Sequence, residues 1–224
     1  MKPFMNCRMS NRLALSVLSA TLLLGSLTAC VPLVLGGAAA GGTLIVSDRR
    51  TSGAQLEDEG IELRGVSRIR SNIGDRAHVN LTSYNRQVLL TGEVPSLQDK
   101  QLIEQIVTRV ENVTSVVNEL AVMGSSSLTQ RSSDALITGR VKAMLVDAPD
   151  LFANSFKVVT ERGTVYLMGR VTQREADRGT NVVRSTPGVL KVVRIFEIIS
   201  EEELKRLLPE PAKPQAEARK PASN

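Results

Sequence analysis

Gln87-Val-Leu-Leu-Thr-Gly-Glu-Val94 and Thr164-Val-Tyr-Leu-Met-Gly-Arg-Val171 are two copies of one pattern in a chain of 224 residues. In each copy apolar residues alternate around a glycine, which is typical of a strand. A capping-box sequence follows each strand, Ser96-Leu-Gln-Asp99 in the first copy and Thr172-Gln-Arg-Glu175 in the second, and predicts a helix start. The glycines are 77 positions apart and the caps 76 apart. The pattern indicates a tandem duplication.

Both copies predict the same order of elements, α-β-β-α-β, and therefore an α+β fold. The boundaries follow from the pattern: a first domain at 56–123, a linker at 124–132 and a second domain at 133–199. Residues 200–224 are expected to form a short helix and a disordered tail rich in Pro, Ala and charge. The expected core stripes of the first helices are Leu63, Val66, Ile69 and Ile73 in copy one and Ile137, Val141, Met144 and Leu145 in copy two.

The N-terminus has the features of a secretory leader. Lys2, Arg8 and Arg12 precede an apolar stretch, and Leu27-Thr-Ala-Cys30 ends it. That ending resembles the lipobox of bacterial lipoproteins, which implies a signal peptide at 1–29 and lipidation of Cys30. Residues 30–55 are then the lipidated cysteine and its tether. An uncleaved signal anchor is the alternative, but the segment is short for a bilayer span.

Together these motifs resemble the dual BON-domain lipoproteins of Gram-negative outer membranes. The most specific of them is Asp48-Arg-Arg-Thr-Ser-Gly53, which leads into Gln55-Leu-Glu-Asp-Glu59. The resemblance implies a three-stranded mixed sheet packed on two helices in each domain, and an outer-membrane location facing the periplasm. It also implies anionic phospholipid binding by the second domain and a role in outer-membrane integrity linked to cell division. Leu136 stands where some relatives carry a tryptophan, which weakens the implied membrane contact.

Charge separates the two copies. Residues 55–122 hold 7 basic and 10 acidic residues, whereas residues 126–199 hold 11 basic and 7 acidic. A basic domain tethered to a membrane favours anionic head groups. We therefore place the phospholipid-binding residues on one helix of the second domain: Leu136, Gly139, Arg140 and Lys142, with Leu151 and Phe152 near the edge. The first-domain counterpart of Arg140 is expected at Arg68, and an ordinary solvated helix face is the alternative.

Other functions find little support. His78 is the single histidine of the chain, so the sequence predicts no metal site, no cofactor and no catalytic base. Without the leader, the chain has 25 basic and 23 acidic residues, too small an excess of positive charge to indicate nucleic-acid binding. The sequence also contains no motif for binding a small-molecule substrate. The remaining alternative is a periplasmic adaptor that binds outer-membrane assembly, division or cell-wall hydrolysis proteins through the acidic first domain and the tail.

Overall fold

The computed structural model describes residues 48–207. Cys30, the leader and the tail after residue 207 lie outside the described residues. Two domains of the same architecture follow one another, and a short final helix, α5 (Glu201–Leu207), comes after them. The sequence-based fold class is confirmed: each domain has a mixed sheet and two helices in the order α-β-β-α-β.

The first domain begins with α1 (Ser52–Ile73), and a 3₁₀ turn at Gly74–Arg76 leads into the sheet. Its strands are β1 (His78–Tyr84), β2 (Gln87–Val94), β3 (Ser115–Asn118) and β4 (Ala121–Val122), and α2 (Leu97–Thr108) connects β2 to β3. The central strand β2 is antiparallel to β1 and parallel to both β3 and β4. The single last strand that the sequence predicted is thus interrupted, because the Asn118 side chain accepts a hydrogen bond from the Leu120 amide between β3 and β4.

The second domain repeats this topology. It consists of α3 (Leu128–Val146), a 3₁₀ turn at Ala153–Ser155, β5 (Lys157–Glu161), β6 (Thr164–Val171), α4 (Gln173–Arg184) and β7 (Lys191–Ile198). The central strand β6 is antiparallel to β5 and parallel to β7. Both first helices begin earlier than expected. Thr51 caps α1 and Ser127 caps α3, so part of the expected tether and most of the expected linker are helical.

A buried aspartate on the first helix of each domain holds the neighbouring hairpin turn. Asp58 accepts hydrogen bonds from the amides of Asn85 and Arg86, both at 2.7 Å. In the second domain Asp134 accepts from the amides of Arg162 and Gly163 in the same way. All four turn residues have positive φ, as a two-residue hairpin turn of type I′ requires. Burial raises the pKa of Asp58, but these hydrogen bonds and those from Ser83 and Arg50 outweigh it and hold the pKa below its ordinary value.

This contact sets the rotation of α1 and corrects the expected core stripe. With Asp58 facing the sheet, Ile61 and Gly65 follow at helical spacing on the buried side, together with Ile69 and Ile73. Leu63 and Val66 instead face outward and are 74% and 44% exposed. Three residues of the expected stripe of α3, Ile137, Val141 and Leu145, are buried. The fourth, Met144, faces outward and is 39% exposed.

The two sheets pack against each other through the faces that their helices leave open. Along β2, Val88 and Leu90 belong to the core of the first domain, whereas Leu89 between them points the other way, as strand geometry requires. A third apolar cluster joins the sheets and consists of Tyr84, Leu89, Tyr166, Met168 and Ile195. Hydrogen bonds from Asn80 to Glu161 and from Asn85 to Glu197 also join the domains.

The stretch before α1, Asp48-Arg-Arg50, contacts both domains. Arg49 makes two hydrogen bonds of 2.7 Å to the carboxylate of Glu175, and the pair is almost completely buried. Arg50 donates to Asp58 at 2.7 Å and lies over the ring of Tyr84, 4.3 Å from its centroid. Asp48-Arg-Arg50, which the sequence placed in the tether, is therefore part of the folded body and links α4 of the second domain to α1 of the first.

The central-strand glycines generate the first prediction. At Gly92, where φ is 110°, an added Cβ would collide with the carbonyl oxygen of His78, and at Gly169 it would collide with that of Ser155. Gly92→Val and Gly169→Val should each lower the free energy of unfolding by roughly 1–3 kcal/mol, measured by urea denaturation. Gly139→Ala is the control, because nothing lies within 4 Å of its Cβ. Unchanged unfolding in both valine variants would contradict the prediction.

The buried ion pair generates the second prediction. Burial raises the pKa of Glu175, but hydrogen bonds from Arg49 and Thr172 bring it below its ordinary value of 4.5. Arg49→Ala leaves this carboxylate buried without its partner and should cost about 3 kcal/mol of unfolding free energy near neutral pH. Because the folded-state pKa is depressed, the contribution is present above about pH 4.5 and is lost as pH falls through the folded-state value.

Urea unfolding at several pH values measures this difference. Arg194→Ala serves as the control, since it removes only the exposed pair with Asp177 and should cost less than about 1 kcal/mol. The prediction would be contradicted if both variants lost the same unfolding free energy. It would also be contradicted if the loss from Arg49→Ala were as large at acid pH as at neutral pH.

Candidate functional site

The outward face of α3 presents three of the four residues expected to bind phospholipid. Asp134, Ile137, Val141 and Leu145 turn toward the sheet. Leu136, Gly139 and Arg140 lie on the opposite side, where all three are exposed. Leu136 is 64% exposed, and nothing lies within 4 Å of a Cβ built at Gly139. A protruding leucine thus stands beside an arginine on an open helix surface.

Lys142, Leu151 and Phe152 lie elsewhere. Lys142 is six positions from Leu136, which is about 120° around a helix of 3.6 residues per turn. It lines a different pocket, together with Asp48 and Phe156. Leu151, expected at the edge of the site, is buried in the second-domain core instead. Phe152 is exposed, with the guanidinium of Arg49 5.9 Å from its ring centroid.

Arg140 differs from its first-domain counterpart in its partners. The aligned aspartates, Asp58 and Asp134, are 76 positions apart, so the counterpart of Arg140 is Arg64 and not Arg68. Arg64 forms an ion pair of 2.8 Å with Glu57. Within residues 48–207, Arg140 has no carboxylate partner and donates one long hydrogen bond of 3.5 Å to the Pro187 carbonyl. Its charge therefore stays available to an external anion.

The loop beside Arg140 adds an apolar residue that the sequence analysis missed. A Cβ built at Gly188 would lie 3.7 Å from Nη1 of Arg140, so the loop runs along the flank of α3. Leu190 follows in this loop and is 83% exposed, next to the exposed Lys191. At an offset of 76 positions, the first domain has Thr114 and Ser115 there. Comparison of the two copies could have shown this gain of a leucine and a lysine.

The first domain has an open groove along α1. Leu63, Val66 and Leu81 form its apolar floor. Two acidic residues, Glu59 and Glu62, and one basic residue, Arg70, also line it. The groove encloses about 640 Å³. It exists because the rotation of α1 turns Leu63 and Val66 away from the core, and it has an acidic edge that the second-domain helix lacks.

A charged cluster forms where the two sheets meet. His78 Nδ1 lies 3.1 Å from Oε2 of Glu93, and Glu161 of the second domain completes the group. One potential ligand atom from each of these three residues lies within 4.8 Å of the others. The single histidine, which alone suggested nothing, is thus joined by two buried carboxylates from strands far apart in the sequence.

The pKa values of the two carboxylates in this cluster are shifted in opposite directions. Burial raises the pKa of Glu93, but hydrogen bonds from the Ser126 amide and His78 outweigh it and bring the pKa below its usual value. Burial also raises the pKa of Glu161, and the negative charge of Glu93 raises it further, against a hydrogen bond from Asn80. Two acidic groups therefore share one poorly hydrated space.

The comparisons with known proteins agree with this architecture. Residues 66–124 and 133–199 each match the BON domain. The chain is 34% identical over 175 residues to the outer membrane lipoprotein DolP of Haemophilus influenzae, covering 77% of this chain and 90% of that protein. It is 30% identical over 154 residues to a 21 kDa hemolysin of Actinobacillus pleuropneumoniae, covering 68% of this chain and 79% of that one.

A pair of α-β-β-α-β domains that each match the BON domain defines a dual BON-domain protein. The chain belongs to the dual BON-domain outer-membrane lipoprotein family. Among residues 48–207, no helix is both long and apolar enough to cross a membrane.

Proposed function

We propose that this protein is anchored to the outer membrane through lipidated Cys30, faces the periplasm, and binds anionic phospholipid through its second domain. The observation that carries the proposal is the exposed pair of Leu136 and Arg140 on α3. An interfacial helix needs an apolar residue to enter the lipid and a cation to meet the head groups. Gly139 has no side chain, so the helix surface beside Leu136 and Arg140 carries no projecting group.

Simple magnitudes support a shallow contact. Half-burying a leucine side chain contributes on the order of 1 kcal/mol, and Leu136 and Leu190 can each supply that amount. A basic residue near an anionic surface contributes about 1 kcal/mol. Arg140 can donate two N–H groups to a phosphate, because no carboxylate among the described residues occupies it. Such terms suit a reversible contact that orients a protein already held by its lipid anchor.

The cellular role follows from the location. A lipid-anchored domain that recognises anionic phospholipid would report on, or hold, the inner leaflet of the outer membrane, and we infer a role in outer-membrane integrity linked to cell division. We infer no catalytic activity and no small-molecule substrate. Lys142 and Phe152 would contribute only at the edge of the membrane contact, since neither lies on the same face as Leu136.

The groove on the first domain favours a second candidate function. Its apolar floor of Leu63, Val66 and Leu81 and its acidic rim suit an amphipathic segment of another protein with basic flanks. In this alternative the chain is an adaptor for outer-membrane assembly, division or cell-wall hydrolysis proteins and has no lipid affinity of its own.

Vesicle flotation of residues 31–224, which lack the leader and Cys30, tests the lipid proposal. The unmodified protein should float with vesicles that contain anionic phospholipid and not with purely zwitterionic ones. Leu136→Glu should abolish flotation, because a carboxylate replaces the inserting side chain and meets like charge. Arg140→Ala should weaken binding and reduce its salt dependence, because salt screens only the charged contribution. Leu190→Glu should also weaken it.

Arg64→Ala is the matched control and should leave flotation unchanged, since Arg64 is already paired with Glu57 in the acidic domain. Circular dichroism should show that all variants keep the fold, because the substituted residues point away from the core. Full binding by Leu136→Glu, or equal losses from Arg64→Ala and Arg140→Ala, would refute the proposal. An unmodified protein that never floats would favour the adaptor.

The anchor gives a separate prediction. Cys30→Ser should leave an unlipidated precursor that keeps residues 1–29 and does not reach the outer membrane, because the thiol that accepts the lipid is gone. Membrane fractionation with mass spectrometry of the purified chain measures both effects. Cys7→Ser, a change inside the leader, should be processed normally. Normal acylation and sorting of Cys30→Ser would overturn the assignment.

A further inference from the structure

The cluster of His78, Glu93 and Glu161 has the composition of a metal site. Its members come from both domains: His78 and Glu93 from paired strands of the first sheet, and Glu161 from the hairpin of the second. Glu93 is completely buried and Glu161 nearly so. Two carboxylates enclosed beside one imidazole need a compensating positive charge, and a protein interior rarely leaves such groups uncompensated.

One oxygen of the cluster accepts no hydrogen bond from the described residues. Among the described residues, the buried Oε1 of Glu93 has no hydrogen bond. Its one charged partner among these residues is Arg162, whose Nη1 forms a long ion pair with it at 3.6 Å, too far for a hydrogen bond. Oε2 of the same carboxylate, by contrast, accepts from the Ser126 amide and contacts His78. A buried carboxylate oxygen that accepts no hydrogen bond, has only a long ion pair and lies beside an imidazole and a second carboxylate is in a position to bind a metal ion.

The neighbouring groups allow a cation to bind. The side chain of Arg162 is 42% exposed and is therefore not enclosed in the cluster, and Arg131 donates a hydrogen bond to Ser126. Asp134 and Arg131 place opposite charges at the wall of a pocket of about 290 Å³ that opens onto His78 and Glu161. Asn80 donates to Oε2 of Glu161 and orients that carboxylate, as an outer partner of a metal ligand does. The pocket provides an entry path and room for water.

We propose that His78, Glu93 and Glu161 form a zinc site that joins the two domains. One nitrogen and two oxygen ligands suit zinc, which takes three protein ligands and a water in many sites. Hard cations such as Mg²⁺ prefer oxygen ligands alone. Ligands on a tetrahedral zinc are about 3.3 Å apart, so small side-chain adjustments close the present spacing of up to 4.8 Å. The site lies apart from the membrane-binding face and does not depend on it.

Calorimetric titration of the full chain with Zn²⁺ tests the site. The chain carries Cys7→Ser and Cys30→Ser so that no thiol binds the metal, bears no affinity tag, and is held in detergent. One Zn²⁺ per chain should bind at neutral pH, and Tm should rise with Zn²⁺ but not with Mg²⁺. Glu161→Gln and His78→Gln should each weaken Zn²⁺ binding at least about tenfold and remove the rise in Tm.

Glu197→Gln is the matched control, because this carboxylate also joins the domains, through Asn85, but stands outside the cluster. It should keep the Zn²⁺ affinity of the parent chain. Glu161→Gln relieves the repulsion with Glu93 and should remain folded without metal, and His78→Gln gives an independent second variant. No stoichiometric Zn²⁺ binding, equal binding of Mg²⁺, or unchanged affinity in both ligand variants would overturn the proposal. Vesicle flotation should be the same in all these variants, which separates the metal site from lipid binding.

Discussion

The hydrogen bonds from a hairpin turn to a buried aspartate on the first helix determine most of what each domain presents. Asp58 and Asp134 each accept two turn amides. A helix pinned at one residue has its rotation fixed, because side chains three and four positions away must then face the same way. That contact therefore determines which residues of the helix are buried and which are exposed. It also determines which end of the helix lies nearest the hairpin.

Because the two helices share this constraint, the differences between their outer faces reflect sequence alone. The first domain places Leu63 and the paired Arg64 on its surface beside acidic groups, whereas the second places Gly139 and the available Arg140 there. One fold thereby presents an apolar groove with acidic residues at its rim in one copy. In the other it presents a leucine beside an arginine that has no carboxylate partner within residues 48–207. Duplication supplied the scaffold, and the outward residues diverged in charge.

The packing of the two sheets gives the protein properties that neither domain has by itself. Tyr84 and Tyr166 share an apolar cluster between the sheets, and Arg49 holds α4 through a buried ion pair at the start of the folded body. The same junction brings Glu161 next to His78 and Glu93. Because the charges there are desolvated, they interact strongly, and for this reason we propose an ion site at a contact that also joins the two domains.

The sequence by itself determined the duplication, the order α-β-β-α-β, the caps Ser96 and Thr172 and the exposed Leu136, because each depends on a local pattern or on its repetition. It misjudged the core face of α1, where apolar residues occupy both sides and only the contact of Asp58 decides between them. The partners of Arg49 and His78 were decided by tertiary structure. Arg49 and Glu175 are 126 positions apart, and no periodicity links residues that meet only when two sheets pack face to face.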